Sequence, residues 1–136
     1  MNNRDMLIIK NSWSQVIAQP DNPAVLFYEN LFAEAPYLIA MFQSDLEQQQ
    51  AKFSAMITYM VMHLQTMPDI QTQIEAMGKR HAKYGVKPEH YALVGKVLIN
   101  TLETTLGDYW DMETAEAWTN LYDVWASAML NAAEAG

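Results

Sequence analysis

With 136 residues, about half of them apolar, the chain is long enough for one domain with a proper core and too short for a second. Eight basic residues against sixteen acidic ones leave a net charge of −8, which opposes binding to nucleic acid or to an anionic membrane. The chain has no cysteine, and this excludes disulfides, thiolate metal sites and thiol catalysis.

The opening Met1-Asn-Asn-Arg-Asp5 is polar, and no later stretch reaches the roughly 18 uninterrupted apolar residues of a membrane span. The expectation is a cytoplasmic protein with no membrane or nucleic-acid partner. No glycine-rich dinucleotide fingerprint or phosphate-cradling loop is present, so no attached nicotinamide or flavin reductase is expected.

Apolar residues recur at intervals of three and four, which predicts an all-α chain. A first helix from about Arg4 to Ala18 presents Leu7, Ile8, Trp13 and Val16 or Ile17 inward. Pro20-Asp-Asn-Pro23 ends it, with Asn22 as cap and Pro23 in the first turn of a second helix that runs to about Ala33. That helix sets Phe27, Tyr28 and Leu31 near one face. Pro36 opens a short helix finishing near Phe42, and Gln43-Ser-Asp-Leu46 joins it to a long helix from about Glu47 to Leu64, with Phe53, Met56, Ile57 and Met60 inside.

Pro68 follows, then a shorter helix from Ile70 to about Ala82, which Gly85 stops. Pro88 begins a helix to Leu106 with Tyr91, Val94, Leu98 and Leu102 inward. After Gly107-Asp-Tyr-Trp-Asp111 the last helix runs from Met112 to about Ala132. Its Trp118, Leu121, Tyr122, Trp125 and Met129 form one broad apolar face. Periodicity alone fits a four-helix bundle as well as other helical folds.

Of the three histidines, His81 ends one helix beside the start of the next and faces the space between them. Spacing alone favours a hydrogen-bonded core histidine over a ligand there. His63 reads as a surface or helix-end residue, and His90, in the first turn after Pro88, as exposed. The three lack zinc spacing, and no His-Glu-x-x-His helix occurs.

Asn11-Ser-Trp13, Leu26 through Phe32, Pro36 through Phe42, Gly78 through Tyr91, Val94-Gly95, and Ala117-Trp118 with Tyr122 follow one another in an order that resembles bacterial single-domain haemoglobins and the haem domains of flavohaemoglobins. The resemblance extends over nearly the whole chain. It implies a globin fold, a 3-on-3 helical sandwich around haem b (iron protoporphyrin IX), with His81 as the axial metal ligand. A neutral imidazole suits iron, and its other ring N–H needs an acceptor; the carbonyl of Met77, one turn earlier, is the expected one.

The same resemblance implies that Phe42 packs on the porphyrin, that Met77, Val86, Tyr91 and Val94 complete the proximal wall, and that Tyr28 and Gln49 are distal hydrogen-bond donors. Gln48-Gln-Gln50 is a run, so the distal register rests on its consequences. Gln49 sets Phe53 one turn on as an apolar wall and leaves Lys52 at the rim, within reach of a propionate. Gln48 would instead place Lys52 over the porphyrin, where an unpaired buried charge is costly. Tyr91 resembles a flavohaemoglobin tyrosine that works with a late-helix glutamate, but Glu134 does not align convincingly with that glutamate.

The resemblance points to reversible, high-affinity dioxygen binding by a monomer or homodimer, with carbon monoxide and nitric oxide as further ligands. The enzymatic alternative is nitric oxide dioxygenation with a separate reductase. A sensor or a haem-free helical stress module is a third reading.

Overall fold

The computed structural model describes residues 2–42 and 45–135, so Gln43 and Ser44 of the expected polar connection lie outside the described residues. Six helices carry the fold: α1 (Asn3–Ile17), α2 (Pro23–Glu34), α3 (Leu46–Met62), α4 (Gln71–Lys83), α5 (Pro88–Leu106) and α6 (Met112–Ala135). Short 3-10 segments at Pro36–Met41, Leu64–Ile70 and Gly107–Tyr109 join them, and no strand occurs among the described residues.

The starts of these helices follow from side chains that can satisfy free N–H groups. Asn2 accepts from the Asp5 N–H at 2.8 Å, Asn22 from Ala24 at 2.9 Å, Asp45 from Glu47 at 2.8 Å and Asp111 from Thr114 at 2.8 Å. Pro23 and Pro88 occupy first-turn positions, where the missing N–H costs nothing. Gly85 follows α4 with φ of 89°, a conformation that a side chain would disfavour.

The helices pack as two layers of three, α1, α3 and α4 against α2, α5 and α6; α4 on α6 is the most extensive pair between the layers and α2 on α5 the most extensive within one. Two glycines permit the close approaches: a Cβ on Gly78 would meet the backbone of Met129, its Cα at 2.6 Å, and one on Gly95 would meet the Tyr122 ring at 2.6 Å. The core joins Ile9, Trp13, Phe27, Leu31, Ile74, Leu102, Trp118 and Leu121. No helix among the described residues is long and apolar enough to cross a membrane.

Three details correct the sequence reading. In α1 the expected Trp13 and Val16 are buried, with Val16 rather than Ile17 facing inward, but Ile9, fully buried at a spacing of four from Trp13, takes the inward place expected of Leu7, which is exposed. Beside them Ser12 is buried because its hydroxyl accepts from the Trp118 indole N–H at 2.8 Å, a requirement no hydropathy pattern contains. Around Pro68 the chain keeps turning as a 3-10 segment, and α6 continues to Ala135.

Candidate functional site

α2 and α3 bring the distal candidates together. Tyr28 is buried at the centre of an aromatic cluster: Phe42 meets it edge-on at 5.4 Å and 82°, Phe53 at 5.6 Å and 69°, and Phe27 at 5.1 Å and 86°. Such geometry sets positive ring edges against negative ring faces. Phe53 also stacks on Phe27 at 4.2 Å, and Phe32 packs against Phe42 at 5.6 Å. Phe32 was not singled out as a neighbour of the site, although its spacing of four from Tyr28 places both on one face of α2.

A polar contact between described residues enters this cluster. Gln49 Nε2 donates to the Tyr28 hydroxyl at 3.2 Å, while Gln48 is exposed. A hydroxyl that accepts still has a hydrogen to donate. Burial raises the Tyr28 phenol above its ordinary pKa, against a smaller opposing effect of the Gln49 bond, so the group remains a protonated donor at neutral pH. Lys52, one turn beyond Gln48, is exposed.

The second group comes from α4, α5 and the corner between them. His81 is half-buried in the last turn of α4, and its Nδ1 lies 3.4 Å from the Tyr91 hydroxyl of α5. This replaces the expected partner, the Met77 carbonyl: α5 brings a phenol from outside the helix to the ring nitrogen. If Nδ1 carries the proton, it donates to the Tyr91 oxygen and leaves the Nε2 lone pair free for a metal. Burial, with the nearby Arg80 charge as a smaller cause, lowers the His81 pKa and keeps the imidazole neutral.

The Tyr122 hydroxyl of α6 donates to the Tyr91 carbonyl at 2.6 Å, and its ring occupies the space that Gly95 leaves open. In the sequence Tyr122 stands out on an apolar face and in the series that carries the resemblance, with no partner assigned to its hydroxyl. Burial strongly raises its phenol pKa, so it too stays a donor.

The other histidines have local roles. His63 caps α3, its Nδ1 lying 2.8 Å from the Tyr59 carbonyl. His90, expected to be exposed, is buried: its Nδ1 accepts from the Lys87 N–H at 2.9 Å, a capping contact at the start of α5. No group of three or more His, Cys, Asp or Glu among the described residues could hold a metal ion.

The residues present fit a haem. Phe42, Phe53, Met77, Val86 and Val94 are apolar yet only half-buried, each packed on the core and each open to space on another side. His81 offers one neutral nitrogen, and the polar pair Tyr28–Gln49 lies in the other cluster. Two surface clefts of about 550 and 280 Å³ lie elsewhere, one beside Asn30 and Val97, the other beside Gln71 and Ala132; neither is lined by His81 or Tyr28. Both are grooves open to solvent, so side-chain chemistry identifies the site better than the size of a hollow.

Comparison with known proteins points the same way. The globin family model matches residues 25–129. Over 133 residues the chain is 25% identical to a flavohaemoprotein of Bacillus subtilis, covering 96% of this chain and 33% of that protein, so it spans about a third of that relative. It is 24% identical to a neuroglobin of Tetraodon nigroviridis over 95% of this chain and 90% of that one. A bacterial globin from Campylobacter jejuni superimposes with a TM-score of 0.84 at 21% identity, covering 98% of this chain and 97% of that one. An engineered carbene transferase, described as a putative nitric oxide dioxygenase from Rhodothermus marinus, superimposes with a TM-score of 0.86 at 20% identity, covering 99% of this chain and 94% of that one.

Proposed function

The chain belongs to the globin family, and from that premise we propose that it binds haem b through His81 and takes up dioxygen reversibly with high affinity. The observation that carries the proposal is the hydrogen-bonded pair of Gln49 and Tyr28, with Tyr28 held as a protonated phenol inside an aromatic cluster.

A haem held by His81 would supply an iron able to take up a diatomic ligand. His81 supplies a neutral nitrogen and is held at its other nitrogen by Tyr91. Tyr28, with a hydroxyl hydrogen still to donate, and Gln49 would offer hydrogen bonds to a ligand that carries partial negative charge. A hydrogen bond to a charged partner contributes about 1.5–3 kcal/mol, which corresponds to roughly 10- to 100-fold slower oxygen release. Carbon monoxide gains less charge and less from the same donors. Phe42, Phe53, Met77, Val86 and Val94 exclude water from the cofactor, and Lys52 at the rim can reach a propionate.

The test is the visible spectrum of the purified protein in ferric, ferrous and carbon-monoxide forms, together with oxygen dissociation. His81→Ala is expected to abolish the five-coordinate ferrous spectrum. Tyr28→Phe is expected to speed oxygen release by about 10- to 100-fold. An unchanged off-rate would remove Tyr28 from the distal side.

The names of two similar proteins, a flavohaemoprotein and a putative nitric oxide dioxygenase, favour a second reading, in which a bound haem would supply the chemistry that oxidises nitric oxide and a separate reductase would supply the electrons. Tyr28 and Gln49 would serve it unchanged. On the proximal side, the partner of His81 Nδ1 among the described residues is the neutral Tyr91 phenol, which favours the binder over strongly electron-donating catalysis. Sustained nitric oxide consumption with a reductase would support the enzyme, and a single stoichiometric burst would support the binder.

A further inference from the structure

Basic charge is unevenly spread over this acidic chain. Lys79, Arg80, Lys83 and Lys87 make up four of its eight basic side chains, and no Asp or Glu lies between Glu75 and Glu89. With histidine neutral, residues 79–87 carry +4 and the remainder carries −12, since −12 and +4 sum to the net −8. All four side chains are exposed, and the salt bridges found among the described residues use Arg4 and Lys96 instead.

At 3.6 residues per turn, Lys79, Arg80 and Lys83 span about 100° of the α4 circumference. Ile74, Gly78 and His81 lie on the opposite side. The exposed Tyr84 follows Lys83, and Tyr37, also exposed, packs its ring 6.1 Å from His90, which accepts from the Lys87 N–H. Two accessible tyrosines thus flank the basic corner.

Helix electrostatics account for only half of it. Cations in a last turn are favoured by the helix dipole, which covers Arg80 and Lys83. Lys79 lies before that turn. Lys87 occupies the N-cap of α5, where the dipole disfavours a cation.

Resting on the haem-globin reading, we propose that this α4–α5 corner docks an acidic protein that donates single electrons. Such a donor, a reduced flavoprotein or iron–sulfur protein, loses one electron, and ferric haem iron gains it to become ferrous. The basic face is one helix width, about 10–12 Å, from the side of α4 that bears His81. An extended polyanion would also meet the −12 remainder, whereas a compact acidic face can engage the corner alone within a Debye length of about 8–10 Å. The tyrosines supply the contact area that anchors interfaces.

The test uses the ferric holoprotein and reduced flavodoxin as an acidic one-electron probe, with reduction followed by stopped flow from low to high ionic strength. Expected is a second-order rate that falls with salt. The K79E/R80E/K83E/K87E variant should lower the low-salt rate about tenfold or more and flatten the salt dependence, while K10E leaves both unchanged. The milder K79Q/K87Q pair gives an intermediate loss and guards against misfolding of the fourfold variant. Titrating the isotope-labelled carbon-monoxide form with oxidised flavodoxin should shift amide signals of residues 79–87.

A rate indifferent to salt and to the charge reversals overturns the proposal while normal oxygen binding leaves the haem reading intact. A chain that takes up no haem defeats that reading instead, and the same amide titration run on the haem-free chain then reports on the surface by itself. Tighter capture by phosphatidylglycerol vesicles than by flavodoxin would make the corner membrane-facing and also overturn it.

Discussion

Burial shifts the pKa values of Tyr28 and His81 in opposite directions, and both side chains end up uncharged. A phenol loses charge when its pKa rises and an imidazole when its pKa falls, so one desolvating interior prepares a donor and a metal ligand together. For His81 the sign of the consequence is definite. A base whose folded pKa lies below its ordinary value of 6.5 binds fewer protons folded than unfolded. Its contribution to stability is therefore full above about pH 6.5 and is lost as pH falls through the lowered folded value. Acid titration of the haem-free protein, followed by circular dichroism, should show a shallower stability loss below about pH 6.5 in His81→Phe than in the parent. Parallel curves would mean that His81 does not titrate on unfolding.

At the scale of elements, the position of His81 depends on how closely α4 can approach α6. Gly78, one turn before His81, lies against the Met129 backbone, and backbone cannot move aside as a flexible side chain can. Gly78→Ala should therefore push the two helices apart and destabilise the fold by about 1–3 kcal/mol or more, read as a lower denaturant midpoint with the slope unchanged. A midpoint equal to the parent's would show that the helices part without cost. Gly95 has a related role on α5, where the missing side chain admits the Tyr122 ring and lets its hydroxyl reach the Tyr91 carbonyl. Three helices thus meet around the proposed ligand through two glycines and two tyrosines.

For the whole molecule, haem would be a structural component as well as a reactive one. A ligand that binds only the folded state adds about 4 kcal/mol when present at a thousand times its dissociation constant. In a chain of this size that should raise the thermal midpoint by about 10 °C or more. Calorimetry of the protein before and after haem extraction checks this, and the increment should shrink in His81→Ala. Equal midpoints for the two forms would be incompatible with a haem packed between the distal and proximal clusters.

Helix existence and most helix starts were legible in sequence because they rest on local rules: apolar spacing, Asn22 before Pro23, Gly85 after the last periodic residue of α4. The residues gathered around Tyr28 and His81 were legible only through an ordered series of resemblances, since spacing alone treats a ligand and a core histidine alike. Tertiary packing decided the rest. It chose Ile9 over Leu7, buried Ser12 beneath Trp118 and His90 beneath the α5 start, and gave His81 a phenol partner in place of Met77. Periodicity within one helix reports which residues are apolar. The partner of a buried donor or acceptor comes from another helix, and only the assembled packing determines it.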